Sequence, residues 1–232
     1  MKKIILLVAL IYSINQNAFS QEKAFSFGFK VAPSIGWMKL NSDGYESNGV
    51  KGGFNWGFVG DIHLMENYSI QTGINILYLN GSYSYPYKEY KNGFLPTVGN
   101  LDRVIHLKYL QIPVVLRMKT EEFSKFTVYG EAGLGLAFRT AVKSDDVFTA
   151  VDGTIVSETD KGTITDEVRF TRESMILGAG VYYAVGGSTK LTAGLRFDNN
   201  FFDILKDQNT VDPSIEQKGI SNFIELSIGL LF

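Results

Sequence analysis

The last thirteen residues of the chain, 220–232, alternate between apolar and mostly polar side chains almost without a break. Because successive side chains of a β-strand point to opposite faces, this pattern predicts a strand with one apolar face. The apolar face carries Ile220, Ile224, Leu226, Ile228, Leu230 and Phe232. A last strand that stops on an aromatic residue is typical of transmembrane barrels, in which it closes the sheet against the first strand. We expect Phe232 to act as a C-terminal assembly signal for the barrel-assembly machinery.

The N-terminal residues carry the pattern of a secretory signal. Lys2 and Lys3 precede an apolar run over residues 4–12, which is too short to span a bilayer. A signal peptide over residues 1–20 is therefore predicted, with residues 21–232 as a single barrel domain. The alternative is a short buried helix or strand.

Composition excludes several classes of protein. The chain has no cysteine, which excludes a lipoprotein anchor and a fold held by disulfides. Its formal net charge is only −2 and it has no basic stripe, which argues against a nucleic-acid partner.

Eight segments show two-residue alternation, and the connections between them are alternately short and long. Short periplasmic turns, long extracellular loops and an even strand number are features of bacterial outer-membrane barrels. The sequence thus predicts an all-β fold: an eight-stranded antiparallel up-and-down transmembrane β-barrel, integral to the outer membrane and in contact with its lipid and lipopolysaccharide. The predicted strands are 25–36, 54–64, 68–80, 103–118, 126–139, 169–184, 190–199 and 219–232.

The two faces of these strands distinguish a membrane barrel from a soluble lipocalin-type barrel. One face is aliphatic and aromatic, whereas the other carries charges of both signs, which a soluble core does not tolerate but a barrel lumen does. Because an eight-stranded lumen is just wide enough for side chains, we predict that these charges pair and plug it. A transport role is the alternative. The predicted network is Lys30, Asp61, Arg117, Glu131, Arg139, Arg196, Asp198 and Glu225.

The predicted loop at residues 81–102 is rich in aromatic residues. Tyrosine suits protein contacts, because it buries a large area at little entropic cost and keeps a hydrogen-bonding tip. We predict a protein-interaction surface here, and the alternative is a loop that folds over the barrel mouth and packs on itself. The candidate residues are Tyr83, Tyr85, Tyr87, Tyr90 and Phe94.

Few residues are suited to catalysis. The chain contains two histidines, His63 and His106, and only His106 is predicted near the loop rim. Ser82, Ser84 and Asp102 are close to it in sequence, so a small lipid-modifying enzyme is an alternative to an interfacial histidine. The sequence shows no metal-ligand cluster and no phosphate-binding loop, and we predict no catalytic, cofactor or metal site.

Pro113 falls in the middle of the fourth predicted strand. A proline removes one donor from the hydrogen-bond ladder and is unusual inside a closed sheet. We therefore predict a β-bulge or a local break in pairing at this residue.

Three segments resemble motifs of the PorT-like outer-membrane β-barrel proteins of Bacteroidetes. Residues 109–117, YLQIPVVLR, resemble the family's YL-x-IP-x-x-L-(K/R) stretch. Residues 27–34 resemble its G-x-K-x-G-x-N opening, with Ala32 and Ser34 at the last two defined positions, and residues 126–133 resemble its P-Y-x-x-x-G strand without the proline. The resemblance implies an outer-membrane barrel that acts as an accessory or assembly component of type IX protein secretion.

These observations lead to one functional hypothesis and two alternatives. We expect a non-catalytic barrel with a charge-plugged lumen, acting as an interaction, accessory or structural component of the outer membrane with a possible protein partner in a secretion or envelope complex. The alternatives are a small lipid-modifying enzyme and a narrow solute channel.

Overall fold

The computed structural model of the chain describes residues 24–90 and 95–232. This part of the chain folds into ten β-strands and a 3-10 helix at Thr165–Glu167. The predicted signal peptide, residues 1–20, lies outside the described residues. The strands are β1 (Phe25–Leu40), β2 (Glu46–Ser47), β3 (Val50–Met65), β4 (Tyr68–Glu89), β5 (Thr97–Lys119), β6 (Phe126–Ala150), β7 (Ile155–Thr163), β8 (Thr171–Gly186), β9 (Thr189–Asn200) and β10 (Gly219–Leu231).

The eight long strands form a closed antiparallel barrel, as predicted. Each pairs with the long strand before and after it in the chain, and β1 pairs with β10 from Gly28–Leu231 to Leu40–Gly219. The backbone N–H of Phe232 donates to the carbonyl of Phe27 at 2.8 Å, so the last residue extends this closing pair. Closure leaves the wall without a free edge, which is the requirement for a sheet in lipid.

The outer surface of the barrel carries an apolar belt. Tyr78 and Phe138 lie at its loop end, and a contact of 5.0 Å between the rings of Phe126 and Tyr183 lies at its turn end. Aromatic rings at the two rims of an apolar band are typical of membrane barrels. The described residues include no helix that is long and apolar enough to cross a bilayer. Exposed belt residues include Phe25, Phe27, Phe29, Trp56, Phe58, Ile74, Ile112, Val114, Leu134, Leu136, Leu195, Leu226 and Ile228.

Pro113 interrupts the wall on one side only. It pairs with Gly135 of β6, and the register between β5 and β6 is continuous there. The pairing between β4 and β5 lapses between Val115 and Gln111 and resumes in the same register. The predicted bulge at Pro113 is therefore wrong, whereas pairing does lapse locally on the β4 side.

Strands β4, β5 and β6 continue well beyond the belt, and the loops predicted at 81–102 and 140–168 are therefore wrong. β5 has 23 residues, about twice the 9–11 that a transmembrane strand needs. We use the term sheet extension for residues 81–89 of β4, 97–107 of β5 and 142–150 of β6, with β7 paired to β6 and β2 paired to β4.

The interior of the barrel is divided into two layers. The half nearer the short turns is filled with charged side chains, which we call the charged layer. The half nearer the long loops continues into the sheet extension and is filled by an apolar layer. The apolar layer contains Met38, Tyr45, Leu77, Leu79, Tyr83, Tyr85, Leu101, Ile105, Leu107, Tyr109, Val142, Phe148, Ile164, Val168, Ile204, Leu205 and Phe223.

Candidate functional site

Arg117 lies at the centre of the charged layer. Its Nη1 is 3.1 Å from Asp61 Oδ2, and its Nη2 donates to Glu131 Oε2 at 2.7 Å. The guanidinium lies over the ring of Tyr129 at 4.3 Å and also contacts the hydroxyl of Tyr182. One buried cation of β5 therefore joins two carboxylates and two tyrosines from three other strands.

A second cation extends the same network across the lumen. Arg196 Nε donates to Glu131 Oε1 at 2.7 Å, and its Nη1 lies 3.7 Å from Glu225 Oε1. Glu225 also pairs with Lys30 and accepts a hydrogen bond of 2.8 Å from Asn55 Nδ2. All of these side chains are buried. The network joins six of the eight residues that the sequence predicted for it, namely Lys30, Asp61, Arg117, Glu131, Arg196 and Glu225.

Glycines on β8 make room for the large polar side chains. A Cβ at Gly178 would lie 2.7 Å from Glu131 Oε1, and one at Gly180 would lie 2.5 Å from the hydroxyl of Tyr129. The space left beside Arg117 and Arg196 is a cavity of about 20 Å³, enough for about one water molecule. The charged layer is therefore packed with side chains.

Asp198 lies in a neighbouring cluster. Its Oδ1 is 2.7 Å from Arg172 Nη2, and its Oδ2 accepts a hydrogen bond of 2.9 Å from Gln111 Nε2. Arg172 is fully buried, with its guanidinium 5.3 Å from the ring centre of Phe223. Arg172 is not among the residues predicted for the lumen, although its inward position follows from the alternation of β8. Because Arg172 lies close to the start of the strand predicted at 169–184, the alternation was not used to place its side chain.

Arg139 does not join the ion-pair network of the lumen, contrary to the prediction. Its Nη1 donates to the backbone carbonyls of Thr165 and Val168 beside the 3-10 helix, and it is only half-buried. The cause is a bulge at Thr140, where the pairing of β6 with β5 gains one residue and the side-chain alternation breaks. Arg139 thus anchors a loop segment, and among the described carboxylates none forms an ion pair with it.

The tyrosines predicted to contact a partner are mostly interior. Tyr83 and Tyr85 are buried in the apolar layer, and the rings of Tyr45 and Tyr85 stack at 4.8 Å. Burial raises the pKa of the Tyr83 hydroxyl to about 12. The ring of Tyr87 meets Phe148 edge-on at 5.2 Å. Tyrosines at alternate positions of an extended strand share one face, and here that face is the inner one.

The other two predicted contact residues are Tyr90 and Phe94. Tyr90 is exposed at the end of β4, whereas Phe94 lies outside the described residues. The prediction of an exposed contact surface is therefore wrong for Tyr83 and Tyr85, and the packing is closer to the alternative in which this segment covers the barrel mouth.

The connection between β9 and β10, residues 201–218, covers the mouth of the barrel. Ile204 and Leu205 are buried in the apolar layer. Asn209 Nδ2 donates to the hydroxyl of Tyr45 at 3.1 Å and to the carbonyl of Pro86 at 2.9 Å. The connection is thus tied to β4 and to the segment that follows β1, and it closes the loop end of the interior.

Arg103 holds the 3-10 helix against the sheet extension. Its Nε and Nη2 donate to the two carboxylate oxygens of Asp146 at 2.8 and 2.7 Å, and its Nη1 pairs with Glu167 of the 3-10 helix. A bidentate contact of this kind fixes orientation as well as distance. It links β5, β6 and the segment before β8 within the sheet extension.

His106 lies on the outer surface where the sheet extension leaves the belt. Its Nδ1 lies 2.8 Å from Asn80 Oδ1, and its Nε2 lies 2.9 Å from Asp145 Oδ2. Asn80 Nδ2 donates to the carbonyl of Gly52 at 2.6 Å, so its oxygen faces the imidazole. We call Asn80, His106 and Asp145 the His106 clamp. The hydrogen bond from His106, together with the backbone N–H of Lys161, lowers the pKa of the Asp145 carboxyl to about 2.

The His106 clamp does not have the geometry of a catalytic triad. A triad histidine binds the nucleophile through one ring nitrogen and the acid through the other. Both nitrogens of His106 face oxygens of Asn80 and Asp145, and Ser84 Oγ instead donates to Asn48 Oδ1 at 3.3 Å. The structure therefore does not bring Ser82, Ser84, His106 and Asp102 together as a reactive unit.

This chain is similar to one protein family and to several solved structures. The model of the family described as outer membrane protein β-barrel domain matches residues 16–206. The crystal structure of Neisserial surface protein A is 16% identical over 90% of this chain and 96% of its own, with a TM-score of 0.47. No match was found among curated proteins.

Two further solved structures are similar over most of their length. Ail of Yersinia pestis, crystallised with the heparin analogue sucrose octasulfate, is 12% identical over 90% of this chain and 99% of its own, with a TM-score of 0.35. The N-terminal β-barrel domain of Pseudomonas aeruginosa OprF is 11% identical over 91% of this chain and 100% of its own, with a TM-score of 0.38.

Proposed function

The chain belongs to the family of outer membrane protein β-barrel domains, and from this membership we propose that it is a non-catalytic, non-conducting barrel that contacts a protein partner through its sheet extension. As a member of this family it is an integral protein of the outer membrane. The observation that carries the proposal is that the wall strands continue past the belt as a folded sheet, while charged and apolar side chains fill the interior.

The tip of the sheet extension offers an apolar surface in water. Leu95 and Val151 are 91% and 85% exposed, and Val98 and Ile155 are exposed beside them. The backbone N–H of Val151 donates to the carbonyl of Val98 at 3.3 Å, so the two hairpins present their tips together. Exposed apolar groups clustered on a rigid support are a feature of protein-contact sites.

Site-specific photo-crosslinking in native membranes tests this contact. A photoreactive phenylalanine analogue at Leu95 or Val151 is expected to give one discrete crosslinked product. The matched control is the same analogue at Phe123, which is 83% exposed near the β5–β6 turn at the other end of the barrel. No product from either tip position, or the same product from all three positions, would contradict the proposal.

The motif resemblance supports a narrower version, in which the partner belongs to type IX protein secretion. Deletion of the gene is then expected to reduce the export of type IX cargo to the cell surface, and re-expression of the intact chain restores it. Unchanged export in the deletion strain would refute this version while leaving the contact at the tip to be judged by crosslinking alone.

The enzymatic alternative depends on His106. If the chain modified lipid, His106→Ala would alter the lipid composition of the outer membrane, whereas we expect no change beyond a looser base of the sheet extension. Lipid analysis of membranes that carry either form distinguishes the two. The channel alternative is addressed by conductance, because the cavity beside Arg117 and Arg196 in the charged layer is only about 20 Å³.

A further inference from the structure

A polar cavity of about 270 Å³ lies at the base of the connection between β9 and β10. Its walls are joined by the backbone: Arg169 N–H donates to the carbonyl of Ile204 at 2.7 Å, and Gln217 N–H donates to that of Asp207 at 2.7 Å. Acidic and basic side chains both line it. They include Arg169, Lys206, Lys218, Asp203, Asp207 and Glu216.

Two buried acceptors at this cavity have no donor. Gln217 is 3% exposed, and its Nε2 donates to the carbonyl of Gln208 at 3.3 Å, but its Oε1 has no hydrogen-bond partner. Asp203 Oδ1 is likewise buried and unpartnered. Because leaving a buried acceptor unpaired is costly, a ligand that brings O–H or N–H donors to these oxygens would be favoured.

The charges around the cavity select the rest of the ligand. Lys218 pairs with Glu216 at 3.0 Å, whereas among the described residues no ion pair forms with the cations Arg169 and Lys206 or with the carboxylates Asp203 and Asp207. The exposed Arg169 and Lys206 favour an anionic group such as phosphate, and the carboxylates of Asp203 and Asp207 favour N–H or O–H donors beside it. A ligand that carries both N–H or O–H donors and a phosphate matches the acceptors and the cations together.

The cavity also lies close to the predicted level of the lipid headgroups. Phe170, next to Arg169, and Phe201 and Phe202, just before Asp203, are exposed at the loop ends of β8 and β9. Exposed rings at strand ends mark the membrane–water interface in barrels. We propose that this cavity binds the phosphorylated amino-sugar headgroup of an outer-leaflet glycolipid.

Binding is tested on the purified full-length protein in detergent, by calorimetry with glucosamine 1-phosphate, glucosamine and inorganic phosphate as separate probes. Glucosamine 1-phosphate is expected to bind most tightly. Arg169→Gln combined with Lys206→Gln should weaken the binding of glucosamine 1-phosphate about tenfold or more. Higher salt should weaken its binding to the intact protein, because the contact is to a charged group. Lys125→Gln, which removes one charge near the β5–β6 turn, is the control and should change nothing.

The acceptors are tested separately with Gln217→Leu. This variant is expected to reduce the preference for glucosamine 1-phosphate over inorganic phosphate, because the donors of the sugar lose their partner. A difference in gel migration between unheated and heated samples verifies that each variant is folded. If inorganic phosphate binds the intact protein as tightly as glucosamine 1-phosphate, or if the double variant binds normally, the proposed site is wrong.

The lipid source is tested with phosphatidylcholine vesicles prepared with and without lipid A. Reconstituted protein should be more resistant to thermal unfolding in vesicles with lipid A, and the double variant should lose that gain. An equal gain for both forms would overturn the assignment to a membrane glycolipid. Crosslinking at Leu95 and Val151 does not involve this cavity. Failure of the glycolipid proposal would therefore leave the proposed protein contact unaffected, and the reverse also holds.

Discussion

The charged layer and the apolar layer fill the same barrel with opposite chemistry. Along β5, the turn-end half has Arg117 inside and Leu116 outside, whereas the loop-end half has Ile105 inside and His106 outside. The inversion occurs near Tyr109, where the outer surface changes from the apolar belt to polar side chains. The surrounding solvent explains this difference: lipid requires an apolar exterior, and water above the membrane permits an ordinary apolar core.

The comparison predicts that the two layers resist substitution for different reasons. In the charged layer, removal of one ion leaves its partners buried and unpaired. In the apolar layer, truncation removes buried area and leaves a void. The first effect concerns the turn-end half of the barrel, whereas the second concerns the loop-end half and the sheet extension.

Arg117→Ala should give the largest loss of stability, about 3–5 kcal/mol, because Asp61 and Glu131 lose their common buried partner. Arg139→Ala is the matched control. It removes contacts to carbonyls at a half-buried site, and we expect a loss of no more than about 2 kcal/mol. Urea unfolding of both variants in lipid measures the difference, and equal losses would contradict the role assigned to the charged layer.

Leu101→Ala should destabilise the apolar layer by about 2–4 kcal/mol, through lost burial and a residual cavity. Leu95→Ala, at an exposed position of the tip, should change stability by less than about 0.5 kcal/mol. Hydrogen exchange should show the loss of protection by Leu101→Ala within the sheet extension while the belt strands remain protected. Loss of protection throughout the barrel would show that the layers are one cooperative unit.

Gly180→Ala tests how tightly the charged layer is packed. A Cβ there would lie 2.4 Å from the carbonyl oxygen of Ala193 and 2.5 Å from the hydroxyl of Tyr129, so we expect a loss of about 1–3 kcal/mol. Gly130→Ala is the matched control, because nothing lies within 4 Å of its Cβ. If the two substitutions have equal effects on urea unfolding, the layer is looser than described.

The smallest effect concerns the His106 clamp at low pH. Because the pKa of Asp145 is lowered to about 2 from 3.8, its contribution to stability is complete above about pH 4 and is lost as the pH falls through about 2. The amide of Lys161, which donates to Asp145 Oδ1 at 2.8 Å, should exchange faster across this interval after correction for intrinsic exchange. In Asp145→Asn this dependence should disappear, and its persistence would show that another group is responsible.

The belt was predictable because two-residue alternation continues through lipid-facing strands with few exceptions. Lys30, Asp61, Arg117, Glu131, Arg196 and Glu225 were placed inside by parity alone, and they form one network. Parity does not specify which cation meets which carboxylate, because pairing across the lumen depends on the closure and register of the whole barrel.

The sheet extension was missed for a physical reason that can be read in its residues. Gly81, Pro86 and Gly99 are typical of turns, and the apolar side there faces inward instead of outward. The alternation of Tyr83, Tyr85 and Tyr87 was the available signal, and a prediction that allowed polarity to invert above the membrane would have used it. The bulge at Thr140, which redirects Arg139, has no comparable sequence signature.

Planar-bilayer recording of the purified intact protein tests whether the filled interior blocks the passage of ions. Because the charged layer is packed around Arg117 and residues 201–218 cover the mouth, we expect no single-channel current steps under an applied voltage in salt solution. Reproducible steps of steady conductance from the intact protein, absent from protein-free bilayers, would contradict it.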